Sequence, residues 1–405
     1  MALLPVEEAL RRVLNGVVPL GMEPVALADA LGRVLAEDLV ARRTQPDFDC
    51  SAMDGYAIRH EDIAGGGDLT VIGESAAGHG FSGSVGPGEA VRIFTGAPVP
   101  DGADTIVIQE NVTRTGSSIA VTATPRQGAN IRRRGLDFRL GAPALSAGTR
   151  LNARDLALAA ATNHGTLPVR RRPLVAVLAT GDELVLPGTE PGPGQIVASN
   201  SFALAAMARQ EGSDVLDLGI AGDSFEALQG AIARARAAGA NVLVTIGGAS
   251  VGDHDLVQQA LAKEGMTLGF WKIAMRPGKP LMHGTLGSMQ VLGMPGNPVS
   301  AIVCGVLFLL PLLRRLTGRR DETVPTRPAR LGIAWPANDV RQDYLRASLT
   351  EERDGTPLVT PFSIQDSSMV SVLASADCLV IRPPHAPKAE AGDECLVVDL
   401  RALGI

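Results

Sequence analysis

Four segments of the chain place glycine together with acidic or helix-capping residues directly after an apolar run of strand length. Residues 174–179 run into Thr180-Gly181-Asp182-Glu183, and 215–220 into Ala221-Gly222-Asp223-Ser224. Residues 242–246 run into Gly247-Gly248-Ala249-Ser250-Val251-Gly252-Asp253-His254-Asp255, and 290–292 into Gly293-Met294-Pro295-Gly296-Asn297-Pro298. Glycines let backbone N–H groups come close to a ligand and form a concave anion site. The helix expected after Asn297 begins with Pro298, so its free amides face the same way, with Asn297 as the expected cap. Carboxylates beside such a nest repel an anion unless a hard cation bridges them. Glu183, Asp223 and Asp255 therefore read as Mg²⁺ ligands rather than bases. Each acid alone is as well explained as a turn residue or cap. Four such turns in register make a site.

The cations are concentrated elsewhere. Residues 271–280 (WKIAMRPGKP) hold Lys272, Arg276 and Lys279. On a strand, Lys272, Ala274 and Arg276 share a side, and two cations projecting together could clamp an oxyanion. Pro277 and Pro280 enclose Gly278-Lys279 and stiffen that loop. In the first half, residues 46–57 pack Asp47, Asp49 and Asp54 into a turn-rich stretch. Residues 94–100 set the Thr95 hydroxyl beside Gly96, and 130–135 offer the guanidinium of Arg132 and its two neighbours. His254 lies between two aspartates, but one histidine is too few for a transition-metal site, and it reads as a bystander.

The elements that must hold these residues follow from periodicity. Val6, Ala9, Leu10, Val13 and Leu14 form one face of an amphipathic helix. Short β-branched runs separated by Gly, Pro and Asp clusters mark residues 42–150 as β-rich. Asn152 caps an expected helix at 153–162. Beyond Arg170-Arg171-Arg172-Pro173 apolar strands alternate with helices at 202–210 and 225–238. That pattern predicts a parallel, doubly wound α/β sheet covered on both faces, with ligands beyond the carboxyl ends of its strands. A helix is expected from 298 to 316, a polar linker at 318–328, and β structure in the remaining residues.

Composition narrows the function. A chain of 405 residues has room for two to four domains at roughly 100–200 residues each. Its 46 glycines and 27 prolines demand many turns, and its 13 aromatics are too few for a surface that stacks nucleic-acid bases. A net charge of −6 supplies no positive field for a polyanion, so an anionic ligand must be held by local cations and amides. The four cysteines are far apart and the six histidines lack ligand spacing, which argues against a disulfide framework or a zinc site. The apolar stretch 301–313 contains Pro311 and falls short of the about 20 residues needed to span a bilayer. With Glu7 and Glu8 where a signal peptide is basic, the protein reads as cytoplasmic, with neither a membrane nor a nucleic-acid partner.

Seven collinear segments carry a family resemblance: SAMDGYA (51–57), FTGAPVP (94–100), ATGDEL (179–184), GQI with SNS (194–201), GGASVGDHD (247–255), RPGKP (276–280) and MPGNP (294–298). Together they resemble the molybdopterin molybdenumtransferases, which are similar to the E domain of gephyrin. The resemblance implies a multidomain α/β protein: an elongated part from 1–48 plus 140–169, a β-rich lid at 49–139 inserted into it, a molybdopterin-binding α/β domain at 170–318 and a C-terminal β-barrel at 322–405. It implies a homodimer with a composite active site between the α/β domain of one subunit and the lid of the other, and transient contact with other enzymes of molybdenum cofactor synthesis. The implied reaction inserts molybdenum from molybdate into adenylylated molybdopterin and releases AMP, with Mg²⁺ as cofactor. By matching position, Asp54, Thr95, Glu183, Asp223 and Asp255 would be catalytic, the last three holding the metal. Lys272, Arg276, Lys279, Arg132, Gly247, Gly248 and Ser250 would bind substrate, with Pro295 and Pro298 shaping the pterin loop. Arg346 and Ser367 would reach the cleft from the barrel.

The chain departs from the family pattern at three points. Cys50 stands where Asn is usual, Arg276 where Lys is common, and Asp366 where Gly is expected. Three other readings compete. A molybdopterin adenylyltransferase shares the α/β fold, but its GGTG turn is replaced here by GGASVGDHD. A non-catalytic scaffolding homologue predicts loss of the strand-end acids, which are all present. A tungstate-using paralogue is separated by no single residue, because the two oxyanions match in size and charge.

Overall fold

A computed structural model describes residues 3–248, 256–351 and 355–405. Its three largest sheets have six strands each and lie in successive stretches of the chain. The helix Val6–Leu14 buries Val6, Ala9 and Val13, with acids in its first turn and arginines in its last, as the helix dipole favours. Strand Met22–Ala26 pairs antiparallel with Thr166–Arg170, and Leu39–Val40 with Pro143–Leu145. Segments on either side of the inserted unit thus close on each other. Helix Ala153–Ala161 is fixed by a capping box in which Asn152 Oδ1 accepts from the Arg154 and Asp155 amides, and Asp155 accepts from the Asn152 amide.

The inserted unit is a six-stranded sheet in which Gly55–Ile58 lies between Glu89–Ile93 and Thr105–Ile108. Tyr56, Ile58, Leu69, Ala90, Val107 and Ile119 form a core of its own. Position 55 must be glycine, because a Cβ there would run into the Val107 carbonyl oxygen.

In the α/β unit four parallel strands stand in the order Asp214–Ala221, Leu174–Thr180, Val242–Ile246, Met289–Met294. Helices Asn200–Gln210 and Pro298–Cys304, with its continuation to Leu316, pack in the cluster on one face. Phe225–Ala237 and Leu256–Lys263 cover the other. The all-parallel expectation needs one correction: the sheet is extended by antiparallel Met282–Leu286 and Thr267–Trp271. The helix Pro298–Leu316 is long and apolar enough to cross a membrane, but 89% of its most apolar window is buried inside the protein. It is a core helix. A π turn, Gly305–Leu309, precedes Pro311, which has no N–H to continue the regular ladder.

The segment expected as a polar linker, 318–328, joins the α/β unit to the last one as irregular, partly exposed chain up to residue 325, but its start is anchored. Arg314 and Arg319 are buried and both bind the buried Glu211 carboxylate, which pins the start of this segment to the helical layer. Strand Thr326–Leu331 begins inside the same segment. The last unit is a closed five-stranded barrel, since Gln342–Glu351 pairs with both Pro357–Pro361 and Cys378–Arg382, while Thr326–Leu331 and Glu394–Asp399 complete the circuit. Closure leaves no free edge. Met275–Arg276 adds a short parallel strand against Gln342 and Asp343, joining the α/β unit to the barrel.

Candidate active site

A cleft of about 640 Å³ opens at the carboxyl ends of Leu174–Thr180, Val242–Ile246 and Met289–Met294. The first and second of these are neighbours, and the chain leaves the first for one face and reaches the second from the other. Such a switch point creates a crevice by topology alone. The floor is tightly built. Thr180 Oγ1 donates to the Ile246 carbonyl at 3.2 Å, and Gly247 has φ +93° with its Cα so close to Thr180 that a Cβ would lie 2.7 Å from the Thr180 carbonyl oxygen. Pro295 is buried, Asn200 donates to the Gly296 carbonyl at 2.7 Å, and Pro298 starts the core helix.

The walls are mostly uncharged. Ser199, Asn200, Ser201, Ser300, Asn297 and Ser368 supply hydroxyls and amides, and Leu184, Ile196 and Val197 supply apolar surface. Among the described lining residues there is no lysine or arginine, and Glu183 is the one acid. None of Asp54, Thr95, Arg132, Asp223, Lys272, Arg276, Lys279, Arg346 or Ser367 lines it, whereas Glu183, Gly247, Gly248, Pro295 and Pro298 do. Ser250 and Asp255 lie outside the described residues.

The acids sit on adjoining turns. Glu183 and Asp223 are exposed, and Asp182 Oδ1 accepts the Asp223 amide at 3.0 Å, so the first turn holds the second. Among the described residues no group of three or more potential ligands forms a metal cage. Mg²⁺ does not require one: it keeps several waters and is commonly held by one or two carboxylates plus substrate phosphates. The exposed Glu183 and Asp223 fit an ion shared with a phosphorylated substrate.

The cation loop differs from the expected strand. Extended backbone ends at Trp271, Lys272 adopts φ +75°, and regular pairing resumes only at Met275. Lys272 and Arg276 therefore do not project as alternate residues of one strand. The Lys272 ammonium lies 4.4 Å from the centre of the Trp271 ring. Arg276 binds the buried Asp343 carboxylate of the barrel and lies 3.8 Å from Asp339. Lys279 is exposed.

Arg346 requires a correction, because it does not reach the cleft. It is 1% exposed, donates from Nε and Nη2 to Gln365 Oε1 at 3.1 and 3.0 Å, and from Nη1 to the Asp366 carbonyl at 2.7 Å. Through these bonds it holds the loop behind the cleft wall. Ser367 in that loop accepts from Asn297 Nδ2 at 2.9 Å, and its carbonyl accepts the Val299 amide at 3.1 Å. The Asn297 side chain thus binds the barrel instead of capping its own helix. Asp366 Oδ1 accepts from both the amide and the hydroxyl of Ser368 at 2.8 and 2.7 Å, and Ser368 is the barrel residue that lines the cleft.

In the inserted unit, Asp54 Oδ1 accepts from the Thr95 amide and hydroxyl, both at 2.8 Å. These two bonds, with a smaller contribution from the Arg92 guanidinium, hold its carboxyl below the usual carboxylate range. Arg132 is exposed on a short strand paired with Cys50 and Ser51, while Arg133 binds Asp49 at 2.6 Å. Cys50 is buried there, and desolvation pushes its thiol up.

Sequence reasoning assigns no role to Asp182, Ser199, Asn200, Ser201, Ser300 or Ser368, although Asp182 lies in one of the strand-end turns and Ser199-Asn200-Ser201 in one of the family motifs. The Ser-Asn-Ser run at a helix start was a usable signal, because polar residues there face the crevice beside unpaired amides.

Comparison with known families places three matches along the chain: the MoeA N-terminal region (domain I and II) at 4–163, a probable molybdopterin binding domain at 176–315 and the MoeA C-terminal region (domain IV) at 328–400. A molybdopterin molybdenumtransferase from Haemophilus influenzae is 34% identical over 377 residues, 93% of either chain. One from Bacillus subtilis is 34% identical over 411 residues, 98% of this chain and 94% of its own. The crystal structure of a molybdopterin biosynthesis MoeA protein from Pyrococcus horikoshii superposes with a TM-score of 0.84 at 32% identity, over 98% of this chain and 99% of that one.

Proposed function

This chain belongs to the molybdopterin molybdenumtransferase family, and on that premise we propose that it inserts molybdenum from molybdate into adenylylated molybdopterin and releases AMP in molybdenum cofactor synthesis. One observation carries the reading: a switch-point cleft lined by side-chain amides and hydroxyls has the exposed Glu183 on its wall, and the turn before Glu183 is hydrogen-bonded to the turn that carries Asp223. Neutral donors and apolar surface suit a flat, heteroatom-rich ring. The side-chain-free Gly247-Gly248 turn on the cleft floor lets backbone come close to an anionic group beside the ring.

Glu183, Asp223 and, beyond the described residues, Asp255 would hold Mg²⁺, which when bound neutralises charge on a phosphoanhydride. The chain's own groups do the positioning. Asp182 orients the Asp223 turn, Asn200 fixes the Gly296 turn, and Asn297 with Ser367 sets the wall that carries Ser368. Fixed donors of this kind stabilise developing charge without rearranging during the reaction.

The absence of cationic side chains among the described lining residues supports a composite site. In this reading the protein works as a cytoplasmic homodimer, and the lid of the second subunit brings Asp54 and Thr95 to the cleft. Lys272, Lys279 and Arg132 would guide the oxyanion at its rim.

The test is molybdate-dependent AMP release. Asp223→Asn and Asp255→Asn should each abolish most of it, and full activity in both overturns the metal assignment. Pterin binding with no AMP release would make the protein a scaffold. Mixing Asp54→Asn with Asp223→Asn subunits should restore activity, because each mixed dimer regains one intact site; no recovery would remove the composite arrangement.

A further inference from the structure

Arg92 is absent from the assignments above, yet it lies at the centre of the segments that hold Asp54. Its guanidinium carbon is 5.1 Å from the centre of the Tyr56 ring and 4.9 Å from that of Phe94. Two of its nitrogens are committed: Nη1 donates to the Gly55 carbonyl at 3.1 Å and Nη2 to Gln109 Oε1 at 2.7 Å. The Gln109 amide in turn donates to the Asp54 carbonyl at 3.1 Å. Three strands meet here, since Gly55 stands opposite Ile93 on one side and Ile108 on the other. Arg92 spans all three ends, and Thr95, three residues on, binds the Asp54 carboxylate.

A guanidinium over aromatic rings keeps its planar fork in a fixed orientation, which an ammonium cannot reproduce. The fork fixes the carbonyl side of the Asp54–Gly55 turn while Thr95 fixes the carboxylate side. We propose that Arg92 is a positioning residue for the reaction, acting through Asp54: by bridging Gly55 and Gln109 from its seat over Tyr56 and Phe94, it aims the Asp54 carboxylate. The proposal rests on the reading of Asp54 as part of the reacting centre.

The test compares AMP release by the full-length protein and by its Arg92→Gln, Arg92→Lys, Asp54→Asn and Arg92→Gln/Asp54→Asn variants, with Tm as the folding control. A misaimed group should lower kcat by about tenfold in Arg92→Gln, with KM for molybdate changed less than about twofold. Arg92→Lys should not rescue it. In the Asp54→Asn background the same substitution should cost under about twofold, because there is no carboxylate left to aim. Gln109→Ala, at the surface, removes one arm of the bridge without disturbing the rings and should give a smaller loss of the same kind. Wild-type kcat in Arg92→Gln, or an undiminished tenfold loss in the Asp54→Asn background, overturns the proposal. Wild-type activity in Asp54→Asn alone would overturn the role of Asp54, and this inference with it; the active variant tells the two failures apart.

Discussion

Asn297 donates from Nδ2 to the Ser367 hydroxyl at 2.9 Å, and this bond ties the turn at the base of the cleft to the C-terminal barrel. The Val299 amide adds a second tie at 3.1 Å. The barrel is thereby a wall of the site, and the loop that forms this wall is set by residues the ligand would never touch.

Arg346 is the strongest of those. Its substitution by Met removes a buried fork that ends on Gln365 Oε1 and the Asp366 carbonyl, and leaves the first only the backbone amide of residue 346 and the second only the Met369 amide at 3.4 Å. A loss of about 2–3 kcal/mol in denaturant stability is expected. AMP release should fall as the Ser367–Ser368 wall loosens. Arg346→Lys should not restore either quantity, because an ammonium cannot match the fork; recovery in Lys would contradict the role.

Glu211 neutralises two buried guanidiniums, with Arg314 Nη2 at 2.9 Å and Arg319 on its other oxygen. Glu211→Gln leaves Arg314 buried with no carboxylate, while Arg319 keeps only Asp321. Stability should drop by about 3 kcal/mol, read from the urea midpoint. A change below about 1 kcal/mol would mean that the network is replaceable by water.

Gly247→Ala combines a φ of +93° with a Cβ placed 2.7 Å from the Thr180 carbonyl oxygen. Backbone strain of about 1–3 kcal/mol is expected, together with weaker pterin-phosphate binding as the nest shifts. Calorimetry on the purified variant measures both, and unchanged binding would separate Gly247 from the anion site.

Asp54 gives a pH prediction. Its carboxyl is held down first by the Thr95 amide and then by the Thr95 hydroxyl. The folded value lies below the unfolded one, so these bonds are fully present above the ordinary carboxylate range and are lost as pH falls below it. Thr95→Val keeps the amide and removes the hydroxyl, so the Asp54 titration should move up toward the ordinary range. Carboxyl ¹³C NMR reads that shift directly, and an unmoved titration would show that the hydroxyl contributes nothing.

Continuous apolar runs made the parallel strands legible, because strands buried on both faces have no polar alternation to obscure them. The glycine and acid clusters at their ends marked the cleft for the same reason that they form it. Thr267–Trp271 is not legible as a strand because Gly269 interrupts its short apolar run; it forms an edge strand with most of its residues exposed. The segment after Leu316 reads as a linker because arginine and glutamate normally signal solvent; the burial of Arg319 within it depends on Glu211, over a hundred residues away in sequence.

The sequence by itself determined the α/β sheet and which turns carry acids, through local periodicity, and the family through collinear motifs, with the barrel only as what that resemblance implies. Only the tertiary structure decided the assignment of partners. It directed Arg276 to Asp343, Arg346 to Gln365 and Arg92 to the Asp54 turn, and it left the described walls of the cleft to serines, asparagines and amides. A long flexible cation carries no sequence mark of the acceptor it will meet; that choice is made by distance once the chain has folded.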